Sequence, residues 1–367
     1  MAPAKESIDE VVRLFTEEAE KFQQRFQRGV EILTSPLEVE VGQTPHDTVY
    51  TEDKLKIYHY RPVTEKRYPV PVLVTYALVN KQYMMDLQPD RSMVKKLLEA
   101  GIDLYMIDWG YPSPMDKFIT LSDYINGYMD RCVDFVRKRT GSDKVTLLGV
   151  CQGGTFSIVY TSLHQEKIQN LVCVVTPFDF DTDDGLLNIW ARQMDIDKMV
   201  EVMGNVSGDF MNIGYLMLNP FRLMFAKYVD FMEHVDNPDF VSNFVRMEKW
   251  IFDSPDQAGD AIRDFVKYFY QQNLLAKGEF KLDGQLADPK KITVPLLNIY
   301  AQYDHLVPPA CSQPLLEAVG SKDKEEICLP SGHIGIFVSS KSQQLLCPNM
   351  AKWLAKRSGP LTEEPKA

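Results

Sequence analysis

The sequence predicts an α/β protein with a mainly parallel central sheet, interrupted by a helical insertion. Two observations lead there. Short β-rich runs alternate with helical stretches from residue 55 to 177 and again from 288 to 357, and a long segment between them, 178–287, is poor in strand-like runs. Alternation of this kind implies parallel strands with helices on both faces of the sheet.

The elements follow in order. Apolar residues at 8, 11, 12, 15, 19, 22, 26 and 30 recur at helical spacing with charges between them, which predicts a long amphipathic helix. That helix either packs on its own domain or offers a docking surface to a partner chain. Strands are expected at 55–60, 70–76, 102–108, 145–150, 171–175, 292–300 and 325–329. Helices are expected at 92–100, ended by Gly101, and at 121–140, closed by Gly141. Further helices are expected at 152–164, 314–319 and 343–356. The chain then divides into an N-terminal helix region (1–40), a first core part (41–177), a cap (178–287) and a second core part with a polar tail (288–367). The tail from Ser358 is expected to fray. In the insertion, Met203, Met211, Met217, Phe221 and Met224 fit either an adaptable apolar surface or an ordinary helical core.

Bulk properties narrow the function classes. The 367 residues are 45% apolar and 25% charged, ordinary values for a globular protein that can bury a large core. A net charge of −11 argues against general nucleic-acid binding, which needs a basic stripe. The N-terminus has no apolar signal core and no apolar run is long enough to span a bilayer, so the expectation is a cytoplasmic protein. The six cysteines are widely spaced without CxxC pairs and read as reduced thiols. GxGxxG, GxxxxGK[ST] and HExxH are also absent, so no dinucleotide, nucleotide or metal cofactor is expected.

The most informative segment is Val145-Thr-Leu-Leu-Gly-Val-Cys151-Gln-Gly-Gly. A buried strand runs through Gly-x-Cys-x-Gly straight into a helix. This is the nucleophile elbow of the α/β-hydrolase fold, with Cys where Ser is usual. The backbone amide of Gln152 can donate to a developing oxyanion, and the helix N-terminus favours negative charge on the sulfur. By itself the string also fits a small buried thiol in a packing turn.

Its partners favour the elbow. In this fold the acid and then the histidine follow the nucleophile along the chain, each after a strand. Asp304 follows the strand at 292–300, and His333 follows the next one within Ser-Gly-His-Ile-Gly. Only six histidines exist, and His305, beside Asp304, is read as supporting. His333 would take the Cys151 proton while Asp304 holds its tautomer. A second oxyanion donor is expected from Val79 or Asn80, in the loop after the strand at 70–76. Asn80 and His305 are the candidates for touching substrate.

Here a family becomes visible. Tyr76-Ala-Leu-Val-Asn80, Asp108-Trp-Gly-Tyr111, Leu121-Ser-Asp-Tyr-Ile-Asn-Gly-Tyr128, Gly149-Val-Cys-Gln-Gly-Gly154, Glu248-Lys-Trp-Ile-Phe-Asp-Ser-Pro-Asp256, Asp304-His-Leu-Val-Pro308 and Gly332-His-Ile-Gly335 closely resemble polyhydroxyalkanoate synthases, over roughly residues 40 to 357. The chain looks most like their class III catalytic subunit; class IV enzymes are similar in length but pair with a different small subunit. The resemblance implies polymerisation of (R)-3-hydroxyacyl-CoA, chiefly 3-hydroxybutyryl-CoA, with CoA release and Cys151, His333 and Asp304 as the triad. It leaves Asp304 either orienting His333 or helping to deprotonate the 3-hydroxyl. It also implies a companion synthase subunit, a homodimer of the catalytic chain, and residence at the surface of polyester granules rather than in a membrane.

Two rivals share these residues: a cysteine-dependent thioesterase or dienelactone-type hydrolase, and a non-catalytic granule- or partner-binding subunit. The Trp250 to Asp256 segment is read as a turn at a helix end rather than a catalytic group. No contiguous basic patch marks a CoA site; Lys81, Arg91 and Lys95 are the available candidates.

Overall fold

The computed structural model describes residues 3–34 and 38–363. Its centre is an eight-stranded sheet made of β1 (His46–Glu52), β2 (Leu55–Tyr60), β4 (Val72–Thr75), β5 (Leu104–Asp108), β6 (Val145–Val150), β7 (Ile168–Val174), β10 (Leu296–Ala301) and β11 (Lys324–Leu329). They lie in the order β1-β2-β5-β4-β6-β7-β10-β11. β1 with β2 and β2 with β5 are antiparallel; every other neighbouring pair is parallel. Two small ribbons complete the strands, β3 (Lys66–Arg67) with β12 (Thr362–Glu363) and β8 (Lys281–Leu282) with β9 (Gln285–Leu286).

The chemistry of the strands explains their positions. β4, β5, β6 and β10 are buried at every residue, and such near-continuous apolar runs can only sit between two helical layers. Burying each Val or Leu there contributes roughly 1.5–3 kcal/mol before entropy is counted. β1, at the sheet edge, reads His-Asp-Thr-Val-Tyr-Thr-Glu and is half exposed. Its polar composition kept it from being foreseen.

Helices follow local signals. In α2 (Met93–Glu99) the Ser92 side chain caps the Lys95 amide, and Gly101 takes a φ of 82° just beyond the end. The expected helix at 121–140 begins as a wide π-type turn at Asp123–Met129 and continues as α3 (Asp130–Thr140), closed by left-handed Gly141. α4 (Gln152–His164) is buried from Gln152 to Ser162, which is why its sequence shows little amphipathic pattern. The expected fraying of the tail is corrected. Ser358 is fully buried, Arg357 pairs with Asp323 and Glu325, and β12 joins the chain to β3. Residues 364–367 lie outside the described residues.

The chain forms two compact units, one of 1–40 with 213–251 and one of 41–212 with 252–367. The larger holds the sheet. In the smaller, α1 (Pro3–Thr34) leans on the helix at Lys227–Glu233. Gly29 lies against Met232 and Phe231, and Ile32 packs on the cluster of Phe231, Val235 and Val241. Arg25 and Arg28 meet Asp236 there. Most of the expected apolar stripe on α1 stays open: Val12, Phe15, Phe22, Phe26 and Val30 are exposed, Phe15 at 77%. The side chains of Ile8 and Val11 lie outside the described residues. Among the insertion's Met and Phe residues, Met211 packs beside Ile196 and Val200, whereas Met203, Met217, Phe221 and Met224 are exposed.

Candidate active site

Cys151 sits between β6 and α4 with φ 51° and ψ −125°, a strained region for a residue with a Cβ. The neighbouring backbone enforces it. The Cys151 amide donates to the Val174 carbonyl at 2.9 Å, and its carbonyl accepts from Gly154 at 2.8 Å. A Cβ on Gly153 would strike the carbonyl oxygens of Thr75 and Tyr76, so glycine there lets α4 press against the end of β4. Among the described cysteines, Cys132, Cys173, Cys311 and Cys347 are buried, Cys328 is exposed and Cys151 is half-buried.

Three parallel strands deliver three side chains to one end of the sheet. Cys151 follows β6, Asp304 follows β10 and His333 follows β11. Nδ1 of His333 donates to Oδ2 of Asp304 at 2.6 Å. The other carboxylate oxygen, Oδ1, accepts from the backbone amides of Leu306 (2.9 Å) and Val307 (2.8 Å). Cys151 interacts electrostatically with the same imidazole. Burial by itself pulls the imidazole down, but Asp304 and then Cys151 outweigh it and raise His333 to about 10. His333 is thus bonded to Asp304 and acted on by Cys151, the predicted acid and nucleophile.

The loop after β4 is the other wall. Gln152 begins α4, where the first-turn amides have no intrahelical acceptor, and its side-chain Oε1 accepts from the Leu78 amide at 3.0 Å. Val79 is half-buried, and Asn80 adopts a left-handed φ of 58° and donates to Ser254 Oγ at 2.5 Å. His305 is exposed, one residue beyond Asp304.

Lys81 is only 6% exposed and is bound by Asp108 at 2.6 Å, with its ammonium over the Tyr111 ring. Its charge is thus already engaged, which corrects its candidacy for a CoA phosphate. Burial pushes Asp108 up. Lys81, the Gly110 amide and the Tyr58 hydroxyl outweigh that and hold its carboxyl below the usual range.

Sequence reasoning did not foresee how the segment after the helix Pro238–Phe252 reaches this loop. Asp253 accepts from the phenols of Tyr83 (3.0 Å) and Tyr111 (2.5 Å), and Gln257 donates to the Leu78 carbonyl at 2.9 Å. Pairings between residues 142 to 179 positions apart leave no periodic trace. The only available signal was the turn sequence Asp-Ser-Pro-Asp itself.

The fold and this site define the class. Residues 71–340 match the family described as alpha/beta hydrolase fold. The crystal structure of Paleococcus ferrophilus monoacylglycerol lipase aligns with a TM-score of 0.54 at 16% identity, over 83% of this chain and 99% of that one. Likeness at that identity concerns the fold. The sequence relatives are nearer. Residues 26–97 match the family described as Poly-beta-hydroxybutyrate polymerase (PhaC) N-terminus. The Poly(3-hydroxyalkanoate) polymerase subunit PhaC of Allochromatium vinosum is 50% identical over 344 residues, 93% of this chain and 97% of that protein. Its namesake in Synechocystis sp. is 48% identical over 345 residues, 92% of this chain and 91% of that protein. The chain belongs to the poly(3-hydroxyalkanoate) polymerase family.

Proposed function

We propose that this chain polymerises (R)-3-hydroxyacyl-CoA, chiefly 3-hydroxybutyryl-CoA, through a covalent thioester on Cys151. The observation that carries the reading is the 2.6 Å bond from His333 to Asp304, with Cys151 delivered to the same end of the sheet and acting on the same imidazole, in a member of this family.

The Cys151 sulfur, its proton taken by His333, attacks the thioester carbonyl. A sulfur–carbon bond forms, the carbon–sulfur bond to CoA breaks, and His333 returns the proton to the departing CoA thiolate. One thioester replaces another, so this exchange is nearly thermoneutral. The 3-hydroxyl of a second acyl unit then attacks the enzyme thioester: the ester carbon–oxygen bond forms, the carbon–sulfur bond to Cys151 breaks, and the hydroxyl proton passes through His333 to the departing Cys151 thiolate. Backbone amides of Gln152 and Val79 would stabilise the oxyanion, and Asn80 and His305 would contact substrate. Both carboxylate oxygens of Asp304 are held, one by two amides and one by His333. That favours Asp304 as the group that orients His333 over direct deprotonation of the 3-hydroxyl.

In the same proposal, residues 178–287 form a cap subdomain, and 41–177 with 288–367 form the core. The exposed stripe on α1, in the region 1–40, would receive a companion subunit. The catalytic chain would form a homodimer and work at the granule surface. No helix among the described residues is long and apolar enough to cross a membrane.

The test is CoA release from (R)-3-hydroxybutyryl-CoA by the wild type and by Cys151→Ala, with product extracted and sized. Polymer from the wild type and none from the variant is expected. Free 3-hydroxybutyrate in place of polymer would make the protein a thioesterase. Absence of release with the companion subunit added would overturn an enzymatic role on this substrate.

A further inference from the structure

We infer that Gln257 is a positioning residue that aims the Val79 amide at the reacting carbonyl, an inference that rests on the acyl-transfer reading above. The carbonyl of Leu78 and the N–H of Val79 belong to the same trans peptide, so they point in opposite directions. Whatever holds the carbonyl therefore sets the direction of the N–H. Gln257 Nε2 holds that carbonyl at 2.9 Å.

Gln257 is built for such a task. The residue is 2% exposed, and its backbone exchanges two hydrogen bonds with Val206, at 2.9 and 2.8 Å. The Pro255 carbonyl, a second acceptor at 3.3 Å, fixes which end of the amide faces Leu78, because the flipped amide would turn its oxygen toward two carbonyls. The preceding peptide plane is held as well, since the Leu78 amide donates to Gln152 Oε1. Both planes at the Leu78 Cα are thus clamped by glutamine side chains, and one of those glutamines is the residue next to Cys151. The loop is keyed to the nucleophile on one side and to the Asp253–Gln257 turn on the other. A donor on a carbonyl also polarises the whole amide and strengthens its N–H as a donor.

Acyl transfer needs an oxyanion donor, whereas alkylation of a thiol by iodoacetamide does not. That difference separates aim from general integrity. In the full chain, Gln257→Met keeps the length of the side chain and removes the donor. The expected result is a fall in kcat for CoA release of about 10- to 100-fold, with KM within about threefold. The rate of Cys151 alkylation, located by peptide mass spectrometry, should stay within about twofold of wild type. Gln257→Glu supplies a second readout. Its neutral acid still donates to Leu78, so its kcat relative to wild type should decline as pH rises from 6 to 9 and the carboxyl ionises.

A Gln257→Met variant with wild-type kcat overturns the inference, and so does one whose alkylation slows in step with turnover. If Gln257→Met does not fold, a pH-independent ratio for Gln257→Glu overturns it instead. Failure of the underlying reading looks different, because CoA release would then survive Cys151→Ala whatever happens at Gln257.

Discussion

Asp304 holds His333 by a single 2.6 Å bond from one carboxylate oxygen while its other oxygen is anchored by the Leu306 and Val307 amides. The carboxylate cannot rotate without breaking the backbone contacts, so the tautomer and plane of the imidazole are set by a fixed loop.

Replacing Asp304 by Asn keeps the shape but presents an amide where the imidazole Nδ1–H needs an acceptor. We expect kcat to fall roughly 10³- to 10⁴-fold with little change in KM. Steady-state CoA release measures it, and a loss under tenfold would remove Asp304 from the orienting role.

The raised value of His333 ties stability to pH. A group whose folded value lies above its unfolded one stabilises fully below the unfolded value, here 6.5. That contribution is lost as pH climbs through about 10. The difference in unfolding free energy between wild type and His333→Gln should therefore be largest near pH 6 and shrink toward pH 10. Urea titrations across that range decide it. A difference that grew with pH would contradict the assignment.

Lys81 and Asp108 form a buried pair, and removing one member strands the other. Lys81→Met is expected to destabilise by about 3 kcal/mol, read as a lower denaturation midpoint with an unchanged slope. Asp108→Asn added to Lys81→Met should recover part of that loss, because the stranded charge disappears. If the double variant is no more stable than the single one, the charge is not the cause.

Two glycines offer a contrast. Gly153→Ala would drive a Cβ into the Thr75 and Tyr76 carbonyls and is expected to lose about 1–3 kcal/mol along with CoA release. Gly214 lies in a helix with open space where its Cβ would be, so Gly214→Ala should gain about 0.4–1 kcal/mol. Thermal unfolding of the two variants side by side would show whether close approach, rather than glycine content, governs these positions.

The parts legible in sequence were those written contiguously. The apolar run of β6, the glycines around Cys151 and the loops after β10 and β11 each announce themselves within a dozen residues. Their order along the chain sufficed to place Cys151, Asp304 and His333 together. β1 escaped because an edge strand has no need of a continuous apolar face. The C-terminal segment was misread because Ser358 is polar yet buried, and a two-residue strand such as β12 has no periodicity to detect. Lys81 was misjudged because a cation's availability depends on its partner, and Asp108 lies 27 positions away. The links from Asp253 and Gln257 to the loop after β4 are products of tertiary packing alone.

The smaller unit is assembled from the first 40 residues and from 213–251. On a ribosome elongating at about 5–20 residues per second, α1 emerges some 10–40 s before the helices that Gly29 and Ile32 lean on have been made. During that interval Ile32 and the face around Gly29 belong to a nascent chain whose native partner surface has not yet been made. The window is one in which a chaperone, or any apolar surface already present in the cell, competes for the helix before the protein itself can claim it.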